Sequence, residues 1–503
     1  MSTYLLAHDL GTSGNKATLY DLFGQLISST VCAYDTQYPG ERCVEQHADD
    51  WWAAVCVSTK RLLEQTGISN RDIAAVGFSG HMMGCLLVDE GGAPLHPMLI
   101  WADTRSTEQE ARMIDAVGMA RGYRITGHRL SASYSAAKLL WIKDHLPDVY
   151  HRAHKMLHAN EYIIHRLTGQ FVSEYSNASS TNLLDINTLK WSDELLDAFG
   201  IPKSLLPELH PSSDIAGKIT AEAAIACGLL EGTPVVIGGG DGSCACVGAG
   251  VVDEGQCYNI IGSSSWISFA TRAPILDPAM RTFNFVHLDP KLYTPTGTMQ
   301  TAGYAYQWFR DHFYAGEQHL YSLLEAAIGR SAPGAGGLLF LPYLLGERSP
   351  RWNHRAKAAF IGMDMTTSKD DMTRAVLEGV GYNLKLILDI LEGNGNIDNL
   401  IMIGGGAKSA AWLQILSDIW QKELLVPQYL EEATSMGAAV CAGVGIGAFA
   451  DYASAKQFNR IEKTVMPNPA NKGLYDHMCH AFESAYQGLI QTFDQLSDIK
   501  SGQ

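Results

Sequence analysis

Between Pro234 and Gly250 the chain reads PVVIGGGDGSCACVGAG, an apolar, β-branched run that stops at three consecutive glycines and delivers one carboxylate, Asp241. Few folds accept such a pattern. Val235 to Ile237 have the composition of a short buried strand, and Gly238, Gly239 and Gly240 let the backbone turn sharply and lie close to a ligand. A small-residue helix starting at Gly242 or Ser243 then sets Asp241 at a strand-to-helix corner, where ligands of α/β sheets bind. Taken alone, the stretch reads equally well as an aspartate capping a helix.

The 503 residues leave room for roughly three domains of ~150 residues, or two larger ones. A net charge of -16 argues against nucleic acid or an anionic membrane as partner, since either needs a clustered basic surface. Phosphate must then be held locally, by glycine-loop amides, helix N-termini and a metal ion. Ten cysteines are scattered without a CxxC pair, and they read as buried thiols of a reducing cytosol. Cys244 and Cys246 lack a second Cys or His pair at zinc spacing. No basic leader precedes the first apolar run, which breaks at His8 and Asp9, so no signal peptide is expected. The Gly/Ala-rich run from Ala433 to Ala450 is too weakly hydrophobic for a membrane and predicts a buried helix lying close against a sheet.

Tyr4 to Ala7, HDLGTSGNK and ATLYDLFGQLI predict a strand, a glycine turn and a second strand. Gly11, Thr12 and Ser13 at the tip offer amides and hydroxyls to phosphate oxygens, with Asp9 beside them as a magnesium ligand; an ordinary hairpin turn has the same composition. His81, Met82 and Met83, in GHMMG, stand where a loop leaves a strand and line either a pocket or the core. Trp101 and Asp103, in IWADTRS, pair an aromatic face with an acid, which suits a polyol or sugar and equally suits simple packing. From Ser135 to His145 apolar residues recur at helical spacing, and Lys138 is the odd residue on that face. GQCYNIIGSSSWISFAT then repeats the N-terminal hairpin, with Gly262, Ser263 and Ser264 answering to Gly11, Thr12 and Ser13. Two related α/β lobes follow, with a nucleotide held between them. Further on, Gly303 opens a helix, Ser368 and Asp371 start a long one, and Leu400 to Ile403 lead through GGGAKS into a helix capped at Ser409. Neither triple-glycine corner meets a P-loop or dinucleotide fingerprint.

These pieces resemble the FGGY carbohydrate kinases, over nearly the whole chain. Two runs carry the resemblance most specifically, SYSAAKLLWIKDH from Ser133 to His145 and AAFIGMDMTTSKDDMTRAVLE from Ala358 to Glu378. The DLGTS hairpin, the GGGD corner, the second hairpin and the GGGA corner follow in the family's order. The resemblance implies an α/β fold of two ribonuclease H-like lobes, as in actin, Hsp70 and sugar kinases, with an ATP cleft between them. The lobes are expected at 1–245 and 246–490, with a tail at 491–503. It implies Asp241 as catalytic base, and Asp9 with Asp241 as holders of Mg2+. ATP would meet Gly11, Thr12, Ser13, Gly262 and Ser263 at its phosphates, and Gly303, Gln307, Gly405, Gly406 and Ala407 at its adenosine. The acceptor would sit near His81, Met82, Met83, Trp101, Asp103 and Ser133.

The implied protein is a cytoplasmic phosphotransferase acting on a small sugar or polyol, without nucleic acid or membrane as partner, and a homodimer is an assembly it allows. A ketopentose such as xylulose is the nearest acceptor, ahead of another pentulose, a hexulose or a tetritol. Two departures bear on this. D-xylulose kinases of the family commonly carry Gln-Met-His-Gly where this chain has His81, Met82, Met83 and Gly84, and Asn where it has Gly242. Glycerol kinases carry Arg-Glu in place of Met82 and Met83. The alternative of another class is an Hsp70- or actin-like nucleotide switch, which needs neither signature run.

Overall fold

Tyr4–Leu10 (β1), Gly14–Asp21 (β2), Leu26–Ala33 (β3), Ile73–Gly80 (β4), Ile215–Lys218 (β5), Pro234–Val236 (β6) and Gly239–Gly240 (β7) build the first sheet of the computed structural model, in the order β5-β6-β4-β1-β2-β3 with β7 also on β4. β1 is antiparallel to β2 and parallel to β4. The structure describes residues 3–317 and 320–501, which divide into two compact units. The central strands β1 and β4 are nearly continuous runs of buried residues, as strands covered on both faces must be.

Six of the seven strands of the second sheet, Cys257–Ile261 (β8), Ser265–Phe269 (β9), Tyr293–Met299 (β10), Asn399–Ile403 (β11), Glu423–Pro427 (β12) and Ile461–Val465 (β13), run in the order β10-β9-β8-β11-β12-β13. Its pairings repeat the first sheet step for step. β8 is antiparallel to β9 and parallel to β11, and β12 carries an antiparallel edge strand, as β6 does. The repeat seen in the hairpins thus extends to whole sheets, differing in that the edge strand precedes its neighbour in the first and follows it in the second.

The units do not divide the chain with one cut. The first runs to Glu254 and regains Ala270–Thr294 and Glu432–Asn459; the second holds Gly255–Phe269, Pro295–Glu431 and the chain from Arg460 onward. Position 245, the expected boundary, lies within the first of these units, and the helix Lys472–Ser501 runs through 491 without a break. The return at Glu432 has a steric cause. Helix Ala433–Gly445 is buried along most of its length, as its composition predicts, and lies on the first sheet backbone to backbone. A Cβ on Gly77 of β4 would come within 2.5 Å of the Ala438 carbonyl oxygen. The helix also crosses Asp241–Gly248 at reciprocal glycines, where a Cβ on Gly248 would lie 1.7 Å from the Ala433 oxygen and one on Gly437 1.9 Å from the Cys244 oxygen.

Since those obstacles are main-chain atoms, Gly437→Ala is expected to cost about 3 kcal/mol, an overpacking loss that lowers Tm by roughly 5–10 °C for a domain of this size. A thermal melt within about 1 °C of wild type would show that the crossing has slack. All ten cysteines are free, and among the described residues no helix is long and apolar enough to cross a membrane.

Candidate active site

Strand register brings the two singled-out carboxylates of the first unit to one end of the sheet. Asp9 of β1 stands level with Ser79 of β4, and Ser79 level with Gly239 of β7. Two residues past Gly239, Asp241 is already the first residue of helix Asp241–Gly248, so the helix begins earlier than the Gly242 or Ser243 start expected. Gly240 is the N-cap, and the helix start has no side-chain cap. The Asp241 carboxylate accepts the N–H of its neighbour Gly242 at 2.8 Å and makes no cap bond to the helix start. Burial pushes its pKa up to about 7, and the negative charge of Asp9 adds to the effect. Asp9 is itself raised by burial, against the pull of the Ser79 hydroxyl, which donates to it at 2.9 Å, and of Lys16.

The corner is braced from behind. Gly238 is left-handed, with φ 73, and a Cβ there would lie 1.8 Å from the Phe78 carbonyl oxygen. The Gly240 amide donates to the Ser176 hydroxyl at 2.9 Å, and that hydroxyl donates to buried Glu174 at 2.7 Å. Glu174 also accepts from the amides of Ser176 and Asn177 and from the Ser212 hydroxyl. Nothing local in the sequence marks Glu174, because its partners come together only through the fold.

Gly11, Thr12 and Ser13 form the tip between β1 and β2, closed by the Gly11 amide on the Gly14 carbonyl at 3.1 Å. Gln46 and Thr36 hold the Thr12 carbonyl, and Tyr34 holds that of Gly11. The Trp101 indole donates to the Thr12 hydroxyl at 3.0 Å, so an acceptor candidate and a phosphate candidate touch.

The other acceptor candidates divide. Met82 is buried against the corner, its Sδ 2.5 Å from where a Cβ of Gly240 would be. Met83 is half-buried with φ 66, and Ser133 is half-buried. His81 turns into the core, edge-on to Trp51 with centroids 5.6 Å apart, and burial pushes its pKa down to about 3. Asp103 is fully buried and engaged by Arg105 and by the Val44 amide at 2.7 Å. Arg105 in turn pairs with Glu45 at 2.7 Å and lies over Trp141. The geometry gives Asp103 the work of holding this loop.

In the second unit, the Gly262–Ser264 tip is closed by the Gly262 amide on the Ser264 carbonyl at 2.9 Å, echoing the first hairpin. The amides of Gly303 and Tyr304, opening helix Gly303–Phe313, donate to the carbonyls of Gly262 and Ser263. A Cβ on Gly303 would lie 2.3 Å from the Gly262 oxygen, so this contact requires glycine. Ser263 and Gln307 are exposed. Gly405, Gly406 and Ala407 form a single tight turn after β11, entered through Gly404 at φ 86.

Two family models cover most of the chain: the N-terminal domain of the FGGY family of carbohydrate kinases matches residues 4–248, and its C-terminal domain matches 257–446. The chain belongs to the FGGY family. Among relatives, the xylulose kinase of Staphylococcus epidermidis is 33% identical, covering 98% of this chain and 99% of the relative. The gluconokinase of Bacillus subtilis is 31% identical, covering 88% and 87%. A ligand-bound xylulose kinase structure from Lactobacillus acidophilus superposes with TM-score 0.92 at 26% identity, covering 98% of this chain and 99% of that one. This carbohydrate kinase therefore has the two-domain actin, Hsp70 and sugar kinase fold. Its sheets are the two halves of that fold, and Asp9, the hairpin tip and Asp241 all lie in the half that the N-terminal model matches. Arg105 and Glu174 escape a reading of short motifs. Arg105 is visible in sequence only as a basic residue after an acid, and Glu174 not at all.

Proposed function

We propose that this kinase transfers the γ-phosphoryl group of ATP to a hydroxyl of D-xylulose, with Asp241 as the base. The observation that carries the reading is the Asp241 carboxylate beside Asp9, its pKa raised by burial to about 7, where a base working near neutral pH should be poised. Positioning and charge neutralisation supply most of the rate in phosphoryl transfer. Gly11, Thr12 and Ser13, with Gly262 and Ser263, would bind the phosphates through amides and hydroxyls. Gly303, Gln307, Gly405, Gly406 and Ala407 would line the adenosine, and Met82, Met83, Trp101 and Ser133 the acceptor, with His81 and Asp103 supporting them from the core.

Magnesium fits the donor set: Asp9 and Asp241 offer hard carboxylate oxygens whose mutual repulsion a divalent cation relieves. When bound, it would neutralise charge on the phosphates. The net charge of -16 and the free thiols support a cytoplasmic enzyme of small molecules, and the homodimer remains part of the proposal.

A coupled assay of ADP formation over D-xylulose, D-ribulose, D-fructose, erythritol, glycerol and D-gluconate tests this, with D-xylulose expected to give the highest kcat/KM. ADP formation indifferent to every acceptor would favour the nucleotide switch instead. Gluconate earns its place from the gluconokinase relative. Met83→His, which restores the His of the D-xylulose kinase loop, is expected to shift relative kcat/KM toward D-xylulose by roughly tenfold, the worth of one good hydrogen bond. Unchanged ratios across the panel would remove Met83 from specificity.

A further inference from the structure

Lys138, the odd residue on the apolar face of helix Ser135–His145, is fully buried. No carboxylate pairs with it among the described residues; the nearby acid, Asp103, is held by Arg105. Its ammonium instead donates to two backbone carbonyls, those of Met83, at 3.1 Å, and Ser133. Met83 is a non-glycine residue in the left-handed region, φ 66, a conformation that holds only where its surroundings enforce it. Its amide is fixed as well, donating at 3.1 Å to the Ser180 hydroxyl, which is tied to the Asn177 carbonyl at 2.7 Å. The turn of the 80–84 loop is thus gripped on both sides, and the Lys138 grip also takes in the Ser133 segment. Burying a lysine is costly without a compensating charge, and packing alone would be served by methionine.

We infer that Lys138 is a positioning residue for the sugar: it ties the carbonyl of Met83 to that of Ser133 and, with Ser180, fixes the loop against which the acceptor is bound. The inference rests on the acceptor reading given above. Lys138 acts through Met83 and Ser133 and does not touch the reacting atoms. Burial pushes its pKa down to about 7, with Asp103 and Cys85 opposing the fall and Arg105 adding to it. Both forms of the amine have donors enough for two carbonyls, so the tie persists across neutral pH.

Lys138→Met keeps the stem and removes the donors, and Ser180→Ala removes the second grip. Each is expected to raise the KM for D-xylulose roughly tenfold or more, the worth of a hydrogen bond from a charged or buried group, with the KM for ATP within about twofold of wild type. The double variant should lose less than the product of the two, because both grips hold one residue. A purely structural lysine would lower Tm and the active fraction, and so kcat, while leaving both KM values in place. Wild-type protein that phosphorylates D-xylulose, with the sugar KM unmoved in Lys138→Met and Ser180→Ala, overturns the inference alone. If Lys138→Met does not fold, an unmoved sugar KM in Ser180→Ala overturns it. Wild-type protein that phosphorylates neither D-xylulose nor D-gluconate overturns the acceptor reading and this inference with it. Where D-gluconate is the acceptor, the same KM comparison is made with it.

Discussion

Asp241→Asn is expected to leave nucleotide affinity within about twofold of wild type while phosphoryl transfer falls ~10²–10⁴-fold, the range by which a positioned general base accelerates a reaction. A sugar hydroxyl is too weak an acid for any carboxylate to ionise in the ground state. In the role proposed for it, Asp241 would orient the hydroxyl and take its proton as the phosphoryl group passes through a loose transition state. Asparagine keeps the size of the side chain and loses the proton acceptor. Transfer within about tenfold of wild type would assign the role to another residue.

The same substitution carries an opposite signature in stability. The Asp241 pKa is about 7 in the folded chain against an ordinary 3.8, so as pH rises the unfolded chain gives up this proton first. Wild-type stability then falls between about pH 4 and pH 7, where the native state binds the extra proton, and stays lowered above that. Asparagine escapes this loss. In protein free of nucleotide and divalent cation, the variant should melt above wild type at about pH 8, and the two should converge near pH 4. A difference in Tm that is the same at both ends would mean that the charge on Asp241 is not what strains the corner.

The second large effect is expected from Gly238→Ala, and it is one of geometry. The new methyl would meet the Phe78 carbonyl oxygen of β4 at 1.8 Å, from a residue with φ 73. Both the backbone conformation and the space oppose it, and neither obstacle is a side chain that can swing away. Overpacking and left-handed strain together put the loss at roughly 3 kcal/mol or more. Relief requires β7 to move off β4, which breaks the alignment of Gly239 with Ser79 and so of Asp241 with Asp9. Displacing a reacting group by about 1 Å costs on the order of 10²-fold, so protein that still folds should bind ATP and transfer slowly. A variant with wild-type Tm and kcat would show that the corner is not fixed by β4.

Local features were legible from the residues. Both hairpin tips, both triple-glycine corners, the Ser135–His145 helix and the Ser368 capping box stand where their turn and cap residues put them, because glycine, proline and short polar side chains act on their own neighbourhoods. What the sequence hid is long-range. Asp103 reads equally for a sugar and for packing, because nothing nearby shows that Arg105 and the Val44 amide engage its oxygens. His81 reads as lining either a pocket or the core, and only the fold shows its ring edge-on to Trp51. Lys138 was visible as an anomaly on an apolar face, while its two carbonyl partners lie on segments that only the fold brings together. The division of the chain was hidden for the same reason, since no local signal says that Glu432–Asn459 returns to the first unit.

That return sets a timetable for synthesis. When Asp241 emerges from the ribosome, the helix that covers Gly77 and interlocks with Gly248 has not yet been translated. A nascent chain stopped short of Glu432 carries the Gly238–Asp241 corner and lacks the helix that packs against it. Its exposed strip of small residues is open main chain, a surface that other chains can occupy. Contacts of such sequence separation form late and slowly, so the corner is expected to settle only once Glu432–Asn459 has been made, and a fragment ending at Glu254 is expected to fold poorly.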